Sequence, residues 1–310
     1  MVVHAMPTPE MQEKALPLIW NRLAGITTQT ATPAEESMDN VRINVERALP
    51  WFHDKFPVKQ EDYEPGKRIA LVGGGPSIKD TVAELADFDT IIACGSAHDW
   101  LQAHSPRVPT YCVVCDPDPV MANYLRAPDH DTKYLISSHC NRTVFDALDG
   151  HDVAMWHCWP VGAGDQEARD FLEKKTPRWA AVGGGCTVGL RALTLALMMG
   201  FSELHFFGFD SCMGTSKDDH HAYPFTDPTK EFLGDMYDLK IGMGSGENDM
   251  PEPRTYRVAG YQLAQAEHYR QMLQAFGHIF RPVFHGSGLL ADMQRMIDLE
   301  TKRLTEENSA

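Results

Sequence analysis

Residues Arg68 to Asp80 read RIALVGGGPSIKD, and this stretch decides the fold. A run that is apolar at nearly every position, three glycines, Pro76-Ser77 and then helical spacing describe a strand, a tight turn and a helix. A strand that is apolar throughout, instead of alternating, is covered on both faces, as in a parallel sheet. The same grammar recurs in TIIACG (90–95), TYCVVCD (110–116), KYLISSH (133–139), VAMWHC (153–158) and ELHFFGFD (203–210). Helical patterns separate them: SIKDTVAELAD (77–87), SAHDWLQAH (96–104) and NRTVFDALDG (141–150). Alternating strands and helices predict an α/β, Rossmann-like doubly wound, mainly parallel sheet. Ligands of such sheets bind beyond the carboxyl ends of the strands, so chemistry is sought just after each strand.

Around this core, 67–210, the sequence divides into three further parts. Residues 1–66 read as an N-terminal helical segment, in which MDNVRINVERALPWFHDKF (38–56) has helical spacing and Asp39 is the expected N-cap. Residues 211–257 are rich in Asp, Gly, Pro and His and read as a long loop or lid. Residues 258–310 read as a C-terminal helix–strand–helix that completes the domain. The chain of 310 residues is 43% hydrophobic with a net charge of −15, which argues against a protein that coats nucleic-acid backbone. No apolar run reaches the length of a membrane span, and no signal-peptide core opens the chain. Seven cysteines without small-domain spacing fit reduced thiols and a cytoplasmic protein. Cys112 and Cys115 lie on opposite faces of a strand, so no shared zinc is expected.

Two glycine turns stand out. Gly73, Gly74 and Gly75 precede Pro76 and Ser77, where the N–H groups of a helix start attract an anion. Ile78 replaces the third spaced glycine of the dinucleotide fingerprint, and Gly95-Ser96 stands where an NAD domain places an acid. NAD is therefore not expected, and neither is a P-loop, for want of Gly-Lys-Ser/Thr. Gly183, Gly184, Gly185, Cys186 and Thr187 open a second, strongly apolar helix and repeat the arrangement. Thr187 in Gly185–Gly189 has nucleophile-elbow spacing, a minor reading. Carboxylates end two strands, Asp116 and Asp210, and are suited to a sugar hydroxyl or a magnesium ion. His220 and His221, with Asp218 and Asp219 before them, are candidates for proton transfer. His285 to Gly288, HGSG, is a weaker candidate.

The order VGGGPS, IIACGSA, CVVCDPDP, GGCTVGLRALTLALMMGFSELHFFGFD and HHAYP resembles the 6-hydroxymethylpterin diphosphokinase MptE-like family, including its phage and prophage members. That family is fold-related to Maf flagellin glycosyltransferases and bacterial sialyltransferases. The resemblance covers about Arg68 to His221. It implies nucleotide binding by Gly73, Gly75, Pro76, Ser77 and Gly185 to Thr187, with Gly95-Ser96 departing from the family's asparagine. It implies a strand-end aspartate at Asp210 and a catalytic base at His221, with His220 second. The leading expectation is a glycosyltransferase using a nucleotide sugar. The alternatives are an ATP- and magnesium-dependent pyrophosphokinase acting on a hydroxymethylpterin-like substrate, and a non-catalytic nucleotide-binding module. The acceptor (sugar, protein, pterin or modified nucleic acid) is left open, as is a homo-oligomer; no membrane partner is expected.

Overall fold

The computed structural model describes residues 33–56, 66–159, 165–176, 178–214, 221–222, 236–242 and 253–309. Eight parallel strands form one sheet: β1 (Arg68–Val72), β2 (Ile91–Cys94), β3 (Tyr111–Val114), β4 (Lys133–Ser137), β5 (Val153–Cys158), β6 (Ala181–Val182), β7 (Glu203–Phe207) and β10 (Arg281–His285). Their spatial order is β10-β7-β1-β2-β3-β4-β5-β6. From β1 the chain steps outward strand by strand to β6 and then returns to β7 on the other side of β1. The strand order therefore reverses between β1 and β7, which is where such a sheet opens a crevice at its carboxyl edge.

The helices between strands follow the sequence pattern. Ile78–Thr81 (α3) continues into a 3-10 segment, Val82–Asp87, and Ala97–His104 (α4) and Arg142–Ala147 (α5) follow β2 and β4. Asp165–Lys175 (α6) precedes β6, and Val188–Met198 (α7) carries the chain back across the sheet. Ile69, Leu71, Ile92, Val113, Leu135, Trp156 and Phe206 are all buried in one core, so the continuous apolar strands are covered on both faces.

The helix Ala34–Val45 (α1) starts directly after Pro33. The expected cap at Asp39 is thus corrected: Asp39 lies inside the helix and pairs with Arg42. Pro33, with its φ preset at −57°, takes the N-cap place, and no side chain caps the helix. Ala48, in a left-handed conformation, ends this segment before the short helix Phe52–Lys55 (α2). Met38 and Val41 of α1 and Trp51 and Phe52 join the main core, and Trp51 bridges Met155 of β5. Asn40 and Asn44 donate to the carbonyls of His139, Ser138 and Cys140, docking α1 over the carboxyl end of β4.

Part of the expected loop at 211–257 is a regular antiparallel hairpin, β8 (Met236–Ile241) with β9 (Arg254–Ala259). It is anchored twice. The Met213 N–H donates to the Arg257 carbonyl at 2.8 Å, and Asp292 of the C-terminal helix Leu289–Ser309 (α9) accepts from Tyr256 and Arg254. The helix Gly260–Phe276 (α8) runs on from β9 without a break.

Arg191 is a buried cation in the apolar helix α7. Its guanidinium donates to the carbonyls of Trp159 at 2.6 Å and Val182 at 2.8 Å, which ties α7 to the β5–β6 edge. Leucine there would remove a donor from both carbonyls, the Val182 oxygen keeping its bond from the Trp159 N–H at 3.1 Å. The expected result for Arg191→Leu is a loss of about 1–3 kcal/mol, read as a lower urea midpoint with unchanged slope.

Candidate functional site

The first glycine turn is closed on its own fold. Gly73 N–H donates to the Phe207 carbonyl and Gly75 N–H to the Gly208 carbonyl, each at 2.8 Å. A Cβ at Gly75 would lie 2.6 Å from the Gly208 oxygen, and one at Gly208 would lie 2.7 Å from the Gly73 oxygen. The glycines permit backbone to approach backbone at the switch point, where β1 and β7 end side by side.

Asp210 fills the center of this node and is 7% exposed. Its Oδ2 accepts from the Ser77 N–H at 2.9 Å, and its Oδ1 accepts from the Ser77 hydroxyl. The Ser77 groups expected to face an anion are thus engaged by a carboxylate of the protein itself. The chain after β10 completes the enclosure. Leu289 N–H donates to the Asp210 carbonyl at 2.7 Å, and a Cβ at Gly288 would come within 2.5 Å of Asp210 Cα. Ser211, next in sequence, has a left-handed backbone with φ 52°, held by its hydroxyl donating to the Gln262 carbonyl. Such strain beside a site is retained only where surrounding bonds over-determine it. No sequence signal marks Ser211.

His221 rests on the same turn. The Gly74 carbonyl accepts from Ala222 N–H at 2.8 Å and from His221 Nδ1 at 3.2 Å. A carbonyl only accepts, so Nδ1 carries the proton and the ring's basic lone pair is on Nε2. His220, Asp218 and Asp219 lie outside the described residues.

The second glycine turn leads into α7, whose 11 residues present first-turn N–H groups at their start. Gly95, after β2, faces this start, with Val188 Cγ1 3.4 Å from the position of its would-be Cβ, and Ser96 precedes α4. Gly189 packs on Phe209, which joins the α7 start to the first node. Thr187 Oγ1 is buried without a hydrogen-bond partner. His268 of α8, missed in the sequence, closes the other side: its Nδ1 accepts from the Cys186 N–H at 3.0 Å. Burial, aided by Arg191, holds the His268 pKa below the ordinary imidazole value, against the pull of Glu267. The only sequence hint was a lone histidine on an otherwise regular amphipathic helix. Gly184 has a left-handed φ of 125° at the turn itself.

Asp116 belongs to a different strand end from Asp210. It follows β3, which stands three positions from β7 in the sheet, about 14 Å at ordinary strand spacing. Its carboxylate accepts from Asp118 N–H at 2.9 Å. Desolvation by the surrounding protein pushes its pKa up, with the Asp118 N–H opposing, an effect that solvent weakens because Asp116 is exposed. Of the two carboxylates named for a magnesium ion, Asp210 has both oxygens engaged by Ser77. Among the described residues no group of three or more His, Cys, Asp or Glu could hold a metal. Cys115 faces Cys158 across the strand ends, sharing a hydrogen bond that holds its thiol pKa well above the usual value. No helix of the described residues is long and apolar enough to cross a membrane.

In structure the chain resembles the Maf glycosyltransferase of Magnetospirillum magneticum AMB-1, with a TM-score of 0.54 at 16% identity over 91% of this chain and 43% of that one. It spans less than half of that protein's length. The sialyltransferase CstII from Campylobacter jejuni, in complex with cytidine-5'-monophosphate, aligns at TM-score 0.35 and 13% identity over 73% of this chain and 86% of that one. A mammalian sialyltransferase aligns at TM-score 0.37 and 10% identity over 73% and 80%. No curated protein matches the chain in sequence. The family model described as 6-hydroxymethylpterin diphosphokinase MptE-like matches residues 36–216, from α1 through the Asp210 node. That match covers more than half of the sequence, and the chain belongs to the MptE-like family.

Proposed function

We propose that this chain is a transferase that takes its group from a nucleotide-activated donor, a nucleotide sugar being the donor class that fits best. The observation that carries this reading is His221. Its ring is oriented by the Gly74 carbonyl so that Nε2 is the basic atom, at the carboxyl edge of β1 where the strand order reverses. The donor's phosphates would lie at the start of α7, where first-turn N–H groups, the unpartnered Thr187 hydroxyl and Gly184 to Cys186 meet Gly95 and Ser96. The first turn, Gly73 to Ser77, would act mainly through the Asp210 lock, holding His221 in place. In the transfer step, the acceptor oxygen attacks the anomeric carbon while His221 Nε2 takes its proton. The carbon–oxygen bond to phosphate breaks, and the leaving nucleotide keeps the electron pair. The fold shared with a Maf glycosyltransferase supports the framework, and the chemistry rests on the site.

The test is a thermal-shift series with CMP-, UDP- and GDP-sugars, ATP and pterins. One nucleotide sugar at a hundredfold excess over its Kd is expected to stabilize the fold by about 2.7 kcal/mol. Stabilization by ATP and a pterin, with none by any nucleotide sugar, would replace this reading by diphosphate transfer, the activity in the family's description.

A further inference from the structure

Four titratable side chains outside the site form one continuous chain at the β10–β7 edge. Glu84 Oε2 lies 2.6 Å from His285 Nδ1, His285 Nε2 lies 2.8 Å from His205 Nδ1, and His205 Nε2 lies 2.8 Å from Glu203 Oε1. Arg281 donates to the other oxygen of Glu203, and Arg68 approaches from β1. Phe207 stacks under His285 at 4.0 Å, and Phe88 meets both imidazoles edge-on.

Counting protons fixes the state of the pair. Ionized carboxylates only accept, so His285 Nδ1 and His205 Nε2 each carry a hydrogen. The inner nitrogen–nitrogen contact needs one more. Three protons on four nitrogens is one more than two neutral rings hold. Desolvation, the leading influence, lowers the His205 pKa, with Glu203 opposing and the charge on His285 adding to the lowering. The extra proton is held in the inner contact between His285 Nε2 and His205 Nδ1.

We infer that His205 and His285 share a single positive charge and act as positioning residues, tying the first glycine turn to β7 and β10 only while that charge is present. Glu84 belongs to the 3-10 segment that continues the helix begun at Ser77. Gly286, which follows His285, sits so close to Ser77 that a Cβ would lie 2.7 Å from the Ser77 hydroxyl oxygen. The shared proton thus braces both sides of the Ser77–Asp210 lock, whichever group the site transfers.

The sign follows. Losing the proton leaves two protons for three contacts, so the tie opens as pH rises through the pair's titration. A second extra proton would set N–H against N–H. Because His205 resists protonation while an unfolded imidazole titrates near about 6.5, stability also falls below that pH. The tie is strongest in a window within the histidine range.

Nitrogen-15 NMR of the imidazoles across this range reads the pair directly in the wild-type protein. The expected result is an interval in which three nitrogens of His205 and His285 are protonated, falling to two at higher pH. A third and a fourth proton taken up together, with no interval in which three nitrogens are protonated, would overturn the inference. In parallel, wild-type melting temperature is expected to fall by about 2–4 °C per kcal/mol lost as the shared proton leaves. Amide exchange over Gly73 to Asp87, corrected for intrinsic rate, should rise over the same interval. His285→Gln, which bonds but does not titrate there, should flatten both trends. A variant with the wild-type pH slope overturns the positioning role. Should the variant not fold, the NMR count and the wild-type exchange profile decide: unchanged exchange across the titration overturns it as well.

Discussion

Gly208→Ala is expected to destabilize the protein by about 2–5 kcal/mol, combining a left-handed backbone cost of about 1–2 with about 1–3 for overpacking. Gly208 has φ 63°, and its would-be Cβ lies 2.7 Å from the Gly73 oxygen and 3.2 Å from the Gly75 nitrogen. Both neighbors are backbone atoms, so no side chain can swing aside. The bonds from Gly73 to Phe207 and from Gly75 to Gly208 hold the two strand ends in register. Relief must come from parting β1 and β7, which also pulls Asp210 from Ser77. Urea unfolding of the variant measures this. An unfolding free energy within about 0.5 kcal/mol of wild type, the ordinary range for neutral surface changes, would mean the two turns are not packed as described.

This packing marks the limit of what the sequence told. The strands were legible because β1, β2, β3, β4, β5 and β7 are apolar at almost every position, as burial on both faces demands. The parallel order followed from the helices between them. By contrast, β6 is two residues long, Ala181–Val182, and carries no periodicity to read. In the hairpin β8–β9, most of β8 and the first part of β9 remain accessible to solvent, so its residues, polar and apolar mixed, looked like a loop. The glycine run at Gly73 was seen, but a glycine that admits a phosphate and one that admits another strand's backbone are the same letter. Only the partner distinguishes them, and the partner, Gly208, is more than a hundred residues away. The same holds for His268 and for the His205–His285 pair, whose roles depend on contacts between distant elements. His221 was legible as a candidate from its place after a strand-end aspartate. Its orientation by Gly74 was not.

His221→Asn separates that orientation from the chemistry. The asparagine amide can still donate to the Gly74 carbonyl as Nδ1 does, and Ala222 N–H keeps its own bond to the same oxygen. What asparagine lacks is a basic nitrogen. If His221 takes the acceptor's proton, turnover of the donor identified by thermal shift should fall by about 10²–10⁴, while donor affinity and melting temperature stay near wild type. The pattern is diagnostic, because loss of positioning alone would weaken binding together with turnover. His221→Ala removes the tether as well and should additionally loosen the turn at Gly74. A His221→Asn protein that turns over like wild type would exclude His221 as the base. It would direct attention to His268, the other imidazole hydrogen-bonded to a glycine turn, on the far side of the α7 start.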